Sequence, residues 1–229
     1  MSISVESIPD LAATLESQSA EEILHFAFSQ YGKNIALACS FGAEDVALAE
    51  MAARVYPGAR VFYLDTAFLF PETQVVRDRV AARYPLTIEA CLPDLTPEQQ
   101  AAEHGDELWA RHPDQCCNIR KVIPLTRQLS RLSAWITGIR RDQAPTRANS
   151  KKVEWDGKFG LVKFNPLADW TWEQVWDYIR TRDVPYNELH DNNYPSIGCT
   201  YCTRPVAPGE DPRAGRWANF AKTECGLHK

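Results

Sequence analysis

NIALACSFGAED, residues 34–45, decides the fold. Its first half is a short apolar run ending at Cys39, the pattern of a strand buried on both faces. Its second half, 40–45, is a turn that feeds a helix predicted over 44–55. The same strand–turn–helix unit recurs on both sides. Pro57 and Gly58 break the helix, and RVFYLD (60–65) reads as the second strand. Pro71 opens a helix over 71–84, because proline is tolerated in the first helical turn. Residues 86–90 form a third strand. Upstream, Ser19 followed by Glu22 is a capping box for a helix running to about Tyr31, where Gly32 ends it. Downstream come short helices over 97–103 and 105–111, a helix over 118–130 and a strand over 134–138. Such alternation implies an α/β fold, a mostly parallel sheet flanked by helices. These sheets bind ligands at the carboxyl ends of their strands, so loops 40–45, 65–71 and 138–152 are the informative ones. Further on, 153–155 and 158–164 read as a β-hairpin about Asp156 and Gly157, and 171–181 as a helix whose Trp and Tyr stripe suits core packing. From Asn187 the regular pattern fades. We expect an α/β domain over 1–205 and a mobile C-terminal tail over 206–229.

The 229 residues suit one sizeable domain, and 45% apolar with 24% charged residues is ordinary globular composition. No apolar run approaches the ~18 residues of a membrane span, and the N-terminus carries no basic-then-apolar leader. A cytoplasmic protein is expected. A net charge of −5 argues against general nucleic-acid binding. The average hides a basic stretch, however. Ten Lys or Arg and only Asp114 and Asp142 lie between Arg111 and Lys152. That excess is either a solvated face or a focus for an anionic ligand.

Seven cysteines, at 39, 91, 116, 117, 199, 202 and 225, are an odd number in a chain read as cytoplasmic, which argues against a disulfide framework. Cys39 and Cys91, at strand ends, read as small core residues. Cys116-Cys117, placed just ahead of a helix, and the C-x-x-C of Cys199 and Cys202 together offer four thiolates, enough for an iron–sulfur cluster or a structural zinc. Adjacent cysteines strain a single zinc tetrahedron, whereas a cubane presents separate irons, so the cluster is the favoured reading. The alternatives are ordinary helix-entry cysteines and a thioredoxin-like C-x-x-C. Cys225 stands in a polar segment, KTECGLHK (222–229), near His228 and lysines that favour a thiolate. It reads as a reactive nucleophile or as an incidental terminal thiol.

CCNIRK (116–121), GCTYCTRP (198–205) and ECGLH (224–228), with SFGAED (40–45), LDT (64–66) and GIRRDQAPTR (138–147), resemble the bacterial assimilatory adenylylsulfate reductases. The resemblance covers residues from about 40 to 228. It implies a fold like the adenine-nucleotide α-hydrolases and a relation to the ATP pyrophosphatases. It implies thioredoxin-dependent reduction of adenosine 5′-phosphosulfate to sulfite and AMP, in sulfate assimilation, with Cys225 as the nucleophile. Cys116, Cys117, Cys199 and Cys202 would hold a 4Fe–4S cluster. Lys121 would bridge cluster and phosphosulfate electrostatically. Arg140, Arg147, Arg213 and Arg216 would meet its oxygens, since guanidinium forks match phosphate and sulfate. The turn at Ser40, Phe41 and Gly42 would receive an anionic group on backbone N–H groups at a helix N-terminus. Asp65 and Thr66 would contact ribose or adenine, unless Asp65 is only a turn residue. His228 would donate a proton or meet thioredoxin, or is simply solvated. Phe41 and Asp45 depart from the Ser-Gly-Gly-x-Asp-Ser loop of ATP pyrophosphatases, which disfavours ATP as the nucleotide.

Three other readings compete. One is reduction of 3′-phosphoadenylylsulfate, alone or as well. A second is a cluster-bearing tRNA-thiolating enzyme, which would need an intact ATP loop and a broader basic surface. The third is a cluster-based sensor, for which no DNA-binding or effector segment is visible. With no redoxin domain in view, an external thioredoxin or glutaredoxin is the expected partner. A homo-oligomer is compatible with the sequence, which does not fix the oligomeric state.

Overall fold

The computed structural model describes residues 3–218, 220, 222 and 224–227. Among them the chain runs α1 (Ile8–Leu15), α2 (Ala20–Tyr31), β1 (Ile35–Ala38), α3 (Ala43–Val55), β2 (Arg60–Leu64), α4 (Pro71–Arg83) and β3 (Thr87–Cys91). It continues with α5 (Pro97–His104), α6 (Leu108–Arg111), α7 (Pro113–Cys117), α8 (Ile123–Leu129), β4 (Ala134–Ile136), β5 (Val153–Asp156), β6 (Leu161–Phe164) and α9 (Trp172–Thr181). The sheet order is β3-β2-β1-β4-β6-β5. β1 pairs parallel with β2 (Leu37 opposite Val61) and with β4 (Ile35 opposite Ala134). β4 pairs parallel with β6, and β5 pairs antiparallel with β6. The mostly parallel α/β sheet expected from the sequence is therefore present.

The chain divides into two compact units. One comprises Met1–Tyr63, Val76–Glu89 and Leu129–Tyr186, and the other Leu64–Val75, Ala90–Gln128 and Asn187–Lys229. In the first, Leu37, Val61, Phe62, Trp135, Ile136 and Phe164 are buried on the strands. Helix α3 contributes Ala43, Ala47, Ala49, Ala52 and Ala53 to the same interior. Small side chains leave room for the helix to lie close to its neighbours, α2 and α9. Reciprocal capping boxes start α2 (Ser19 with Glu22), α5 (Thr96 with Gln99) and α9 (Thr171 with Gln174). Each such cap is worth about 1 kcal/mol.

Three local readings change. Helix α1 was not expected. The β5–β6 hairpin turns through a longer loop than the Asp156–Gly157 pair: Asp156 Oδ1 accepts from the Lys158 and Phe159 N–H groups, and Gly160, not Gly157, takes the positive φ of +70°. Finally, the helix expected to begin after Cys117 begins at Pro113, so Cys116 and Cys117 lie inside α7. A π-helical turn, Asn118–Val122, joins α7 to α8.

Candidate active site

The turn after β1 lies in the first unit. Asp45, one turn into α3, folds back so that its Oδ2 accepts from both Ser40 N and Ser40 Oγ at 2.6 Å. Burial pushes the Asp45 carboxyl up to about 6. Glu44 adds to that rise, while the Ser40 hydrogen bonds and the charge of Arg147 oppose it. Phe41 holds a left-handed backbone (φ 59°) and buries its ring edge-on to Tyr63 at 5.5 Å. Gly42 begins α3 with no side chain capping its first N–H groups. Gly138, after β4, leaves room for this arrangement: a Cβ there would sit 2.3 Å from Asp45 Oδ1.

Arg140 is 4% exposed, and its Nε and Nη2 both reach Glu44 Oε1 at 2.9 Å, while Nη1 meets Asp142. Its charge is engaged by Glu44 and Asp142 of its own unit. Arg147 Nη1 donates to Gln143 Oε1 at 2.5 Å.

The second unit gathers the paired cysteines. Cys116, Cys117, Cys199 and Cys202 line one pocket together with Phe68, Trp109, Arg120, Lys121 and Tyr201. Cys199 is held against the segment after β2, 130 positions earlier, by the bridge between Leu69 and Cys199 and by the Thr200 N–H to Phe68 O bond of 2.9 Å. Among the described residues no three His, Cys, Asp or Glu side chains converge closely enough to hold one metal ion. Burial, then the charge of the neighbouring thiols, pushes Cys116 and Cys202 up to about 11, and burial raises Cys117 as well.

Two cations share this pocket. The π-helical turn carries both, and Arg120 and Lys121 are each buried. Burial lowers Arg120 against the pull of Cys116 and Cys199. Its Nη1 donates to Thr66 O at 2.9 Å, its guanidinium lies 4.2 Å from the Phe68 ring centre, and Nε and Nη2 find no partner among the described residues. Burial works against the Lys121 ammonium too, but the nearby Cys199, Cys225 and Cys117 outweigh it and raise the group, with Arg216 opposing. Thr66, expected on the nucleotide, has its hydroxyl 3.3 Å from Cys199 Sγ. Asp65 Oδ1 accepts from Ala67 N at 3.1 Å, the turn role that was its alternative.

The segment bearing Cys225 is anchored in the same unit. Arg213 Nη2 pairs with Glu224 Oε2 at 3.2 Å, and Glu224 is 5% exposed. Lys222 Nζ reaches Asp114 Oδ1 at 2.5 Å and lies over the Trp217 ring. Arg216 stacks on Trp217 at 4.5 Å and donates to Ser196 Oγ and Ile197 O. Cys225 is half-buried. His228 lies outside the described residues.

Residues 34–205 match the model of the phosphoadenosine phosphosulfate reductase domain. The chain belongs to the phosphoadenosine phosphosulfate reductase family. This is a family of oxidoreductases acting on sulfur groups. The adenosine 5′-phosphosulfate reductase of Halalkalibacterium halodurans is 49% identical over 97% of this chain and 96% of its own. The phosphoadenosine 5′-phosphosulfate reductase of Gloeobacter violaceus is 50% identical over 100% and 96%. Among solved structures, the phosphate complex of the phosphoadenylyl-sulfate reductase from Candida auris superposes with a TM-score of 0.77 at 33% identity, covering 89% of this chain and 99% of that one. The FMN adenylyltransferase of Candida glabrata (TM-score 0.61, 13% identity, 93% of this chain and 72% of that one) shares the fold alone. No helix among the described residues is long and apolar enough to cross a membrane.

Sequence reasoning passed over Arg120, Glu224 and the Trp109–Tyr201 pair. Only Arg120 left a signal, at the third and fourth positions after the two adjacent cysteines. The basic stretch also resolves. Arg127, Arg131, Arg140, Arg141 and Lys152 are ion-paired with carboxylates from elsewhere in the sequence, while Arg120 and Lys121 face sulfur.

Proposed function

We propose that the protein reduces adenosine 5′-phosphosulfate to sulfite and AMP, with Cys225 as nucleophile and an external dithiol protein, thioredoxin or glutaredoxin, as reductant. The observation that carries this reading is the buried Lys121, which lines one pocket with Cys116, Cys117, Cys199 and Cys202 and whose ammonium is favoured by the nearby Cys199 and Cys225. A cation so placed lowers the cost of bringing a thiolate up to an anionic sulfate.

In the first step the Cys225 thiolate attacks the sulfate sulfur and forms an S–S bond. The S–O bond to the nucleotide breaks, and AMP leaves with the electron pair. In the second step a thiolate of the reductant attacks Cys225 Sγ and sulfite leaves. The reductant's second thiol then resolves the mixed disulfide and returns Cys225 as the thiol. Two electrons pass from dithiol to sulfur, and the dithiol becomes a disulfide. Backbone N–H groups at the start of α3 are suited to the nucleotide's anionic group. Arg213 and Arg216, close in sequence to Cys225, are suited to the phosphosulfate oxygens.

Cys116, Cys117, Cys199 and Cys202 would hold a 4Fe–4S cluster. Burial and the neighbouring thiols raise Cys116, Cys117 and Cys202, and a bound metal cation would favour their thiolates. All four line one pocket, and a cubane offers a separate iron to each of four thiolates. The two unpartnered Arg120 N–H groups in that wall suit sulfur acceptors. Bound there, the cluster would contribute fixed charge and rigidity.

The test is an intact mass of anaerobically purified protein after exposure to adenosine 5′-phosphosulfate without reductant. A sulfonate adduct on the wild type and none on Cys225→Ser, with sulfite released by thioredoxin, is the expected result. No adduct on a protein that holds its iron and sulfide would overturn the reading. The same experiment with the 3′-phosphorylated nucleotide sets the substrate preference, since named relatives of both kinds are about equally similar.

A further inference from the structure

We infer that the stacked pair Trp109–Tyr201 is a stopper on the cysteine pocket. It keeps water and small iron ligands away from the metal–sulfur group without touching substrate or binding iron. The inference rests on the cluster reading above.

Tyr201 lies between Cys199 and Cys202 in a single 3₁₀ turn and is 54% exposed. An isolated exposed aromatic side chain needs no explanation, but this one is not isolated. Its ring stacks on Trp109, from α6, with centres 4.0 Å apart and planes at 14°. Both rings then meet Phe68 edge-on, at 5.4 and 5.1 Å. All three line the pocket with Cys116, Cys199 and Cys202. One face of Tyr201 therefore meets solvent while the stacked rings form part of the pocket wall.

Aromatic rings suit this role because they cover a large area with only two rotatable bonds each. Iron–thiolate bonds are lost when water or another ligand reaches the iron. The apolar shell round a metal site controls that access. A merely structural stack, fastening α6 to the Cys199–Cys202 turn, would change folding stability and leave the rate of iron loss alone.

The experiment uses anaerobically purified wild type, Tyr201→Phe, Tyr201→Ala and Trp109→Leu. Iron and acid-labile sulfide are measured first. A ferrous chelator, bathophenanthroline disulfonate, is then added without oxygen, and chelated iron and visible absorbance are followed. Tyr201→Ala and Trp109→Leu are expected to lose iron roughly tenfold faster or more, and Tyr201→Phe at the wild-type rate, with thermal midpoints of the metal-free proteins unchanged at position 201. Equal rates in all loaded proteins would overturn the stopper while leaving the cluster in place. Wild type without iron and sulfide would overturn the cluster reading and the stopper with it. Should Trp109→Leu fail to fold, the half-exposed Tyr201→Ala decides alone.

Discussion

Replacing Asp45 with Asn should make the protein less sensitive to rising pH. Asp45 is a buried carboxyl that closes the 40–45 turn through two 2.6 Å bonds from Ser40. Its folded value is pushed up to about 6 from an ordinary 3.8, mainly by burial. Between those values the folded chain binds a proton that the unfolded chain has released, so stability falls as pH rises through the window. The ionised carboxylate then costs the folded state about 3 kcal/mol relative to the protonated one. Asn keeps an oxygen that accepts from Ser40 and cannot ionise. It also removes the repulsion from Glu44. Urea unfolding of both proteins at intervals from pH 4 to pH 7.5 isolates the effect, because other titrating groups cancel in the difference. Over that range the balance should move toward Asp45→Asn by most of the about 3 kcal/mol. That is about 1 M in midpoint at a slope of about 2–3 kcal/mol/M. A difference that stays flat across this range would refute the reasoning. It would mean that water or a cation meets the carboxylate in the folded turn.

Three further outcomes are expected. Lys121→Ala should lower turnover by about 100-fold while the visible absorbance of the bound cluster is retained; full activity would remove Lys121 from the reaction. Thr171→Ala removes the cap that accepts from Gln174 N at 3.2 Å and should cost about 1 kcal/mol in denaturant unfolding. Glu224→Gln breaks the pair with Arg213 and should speed amide exchange around residues 224–227 by about tenfold, the equivalent of a charge-assisted hydrogen bond. Unchanged exchange would mean that the segment is held by other contacts.

The parts of the fold carried by short-range patterns were legible. The β1 run, the Ser19 cap and Pro71 at a helix start are local signals, and the observed elements follow them within a residue or two. Two local signals were nonetheless under-read. Pro9 sits in the first turn of α1 just as Pro71 does in α4, and Pro113 opens α7 in the same way. Reading Pro113 so would have placed Cys116 and Cys117 inside a helix. The π-helical turn after them was not readable, because no residue preference distinguishes it from ordinary helix. The same limit applies to the partners of Arg140 and Thr66. A loop after a parallel strand is where a ligand belongs, and an arginine there invites that role. Its partner Glu44 lies ninety-six residues earlier and reaches it within one unit of the folded chain. Cys199 meets Thr66 across 133 residues in the same way. Whether a charge or hydroxyl is spent on the protein or left for a ligand depends on such distant pairings.

That distinction also decides what the basic stretch does. Ten cations in forty-two residues suggested one anion-binding face, yet half of them are matched by carboxylates drawn from elsewhere in the sequence. The exposed pairs among them, those of Arg127 and Arg131, contribute little to stability, and all five remove long-range positive potential that would attract nucleic acid. What remains is a short-range field. Arg120 and Lys121 are buried side by side against four thiols, with Cys225 among the charges Lys121 senses. Burying two cations is unfavourable unless negative charge is fixed beside them. The thiols in turn stay protonated unless positive charge is fixed beside them. Each half of the pocket is costly alone, and on the proposed reading each offsets the cost of the other.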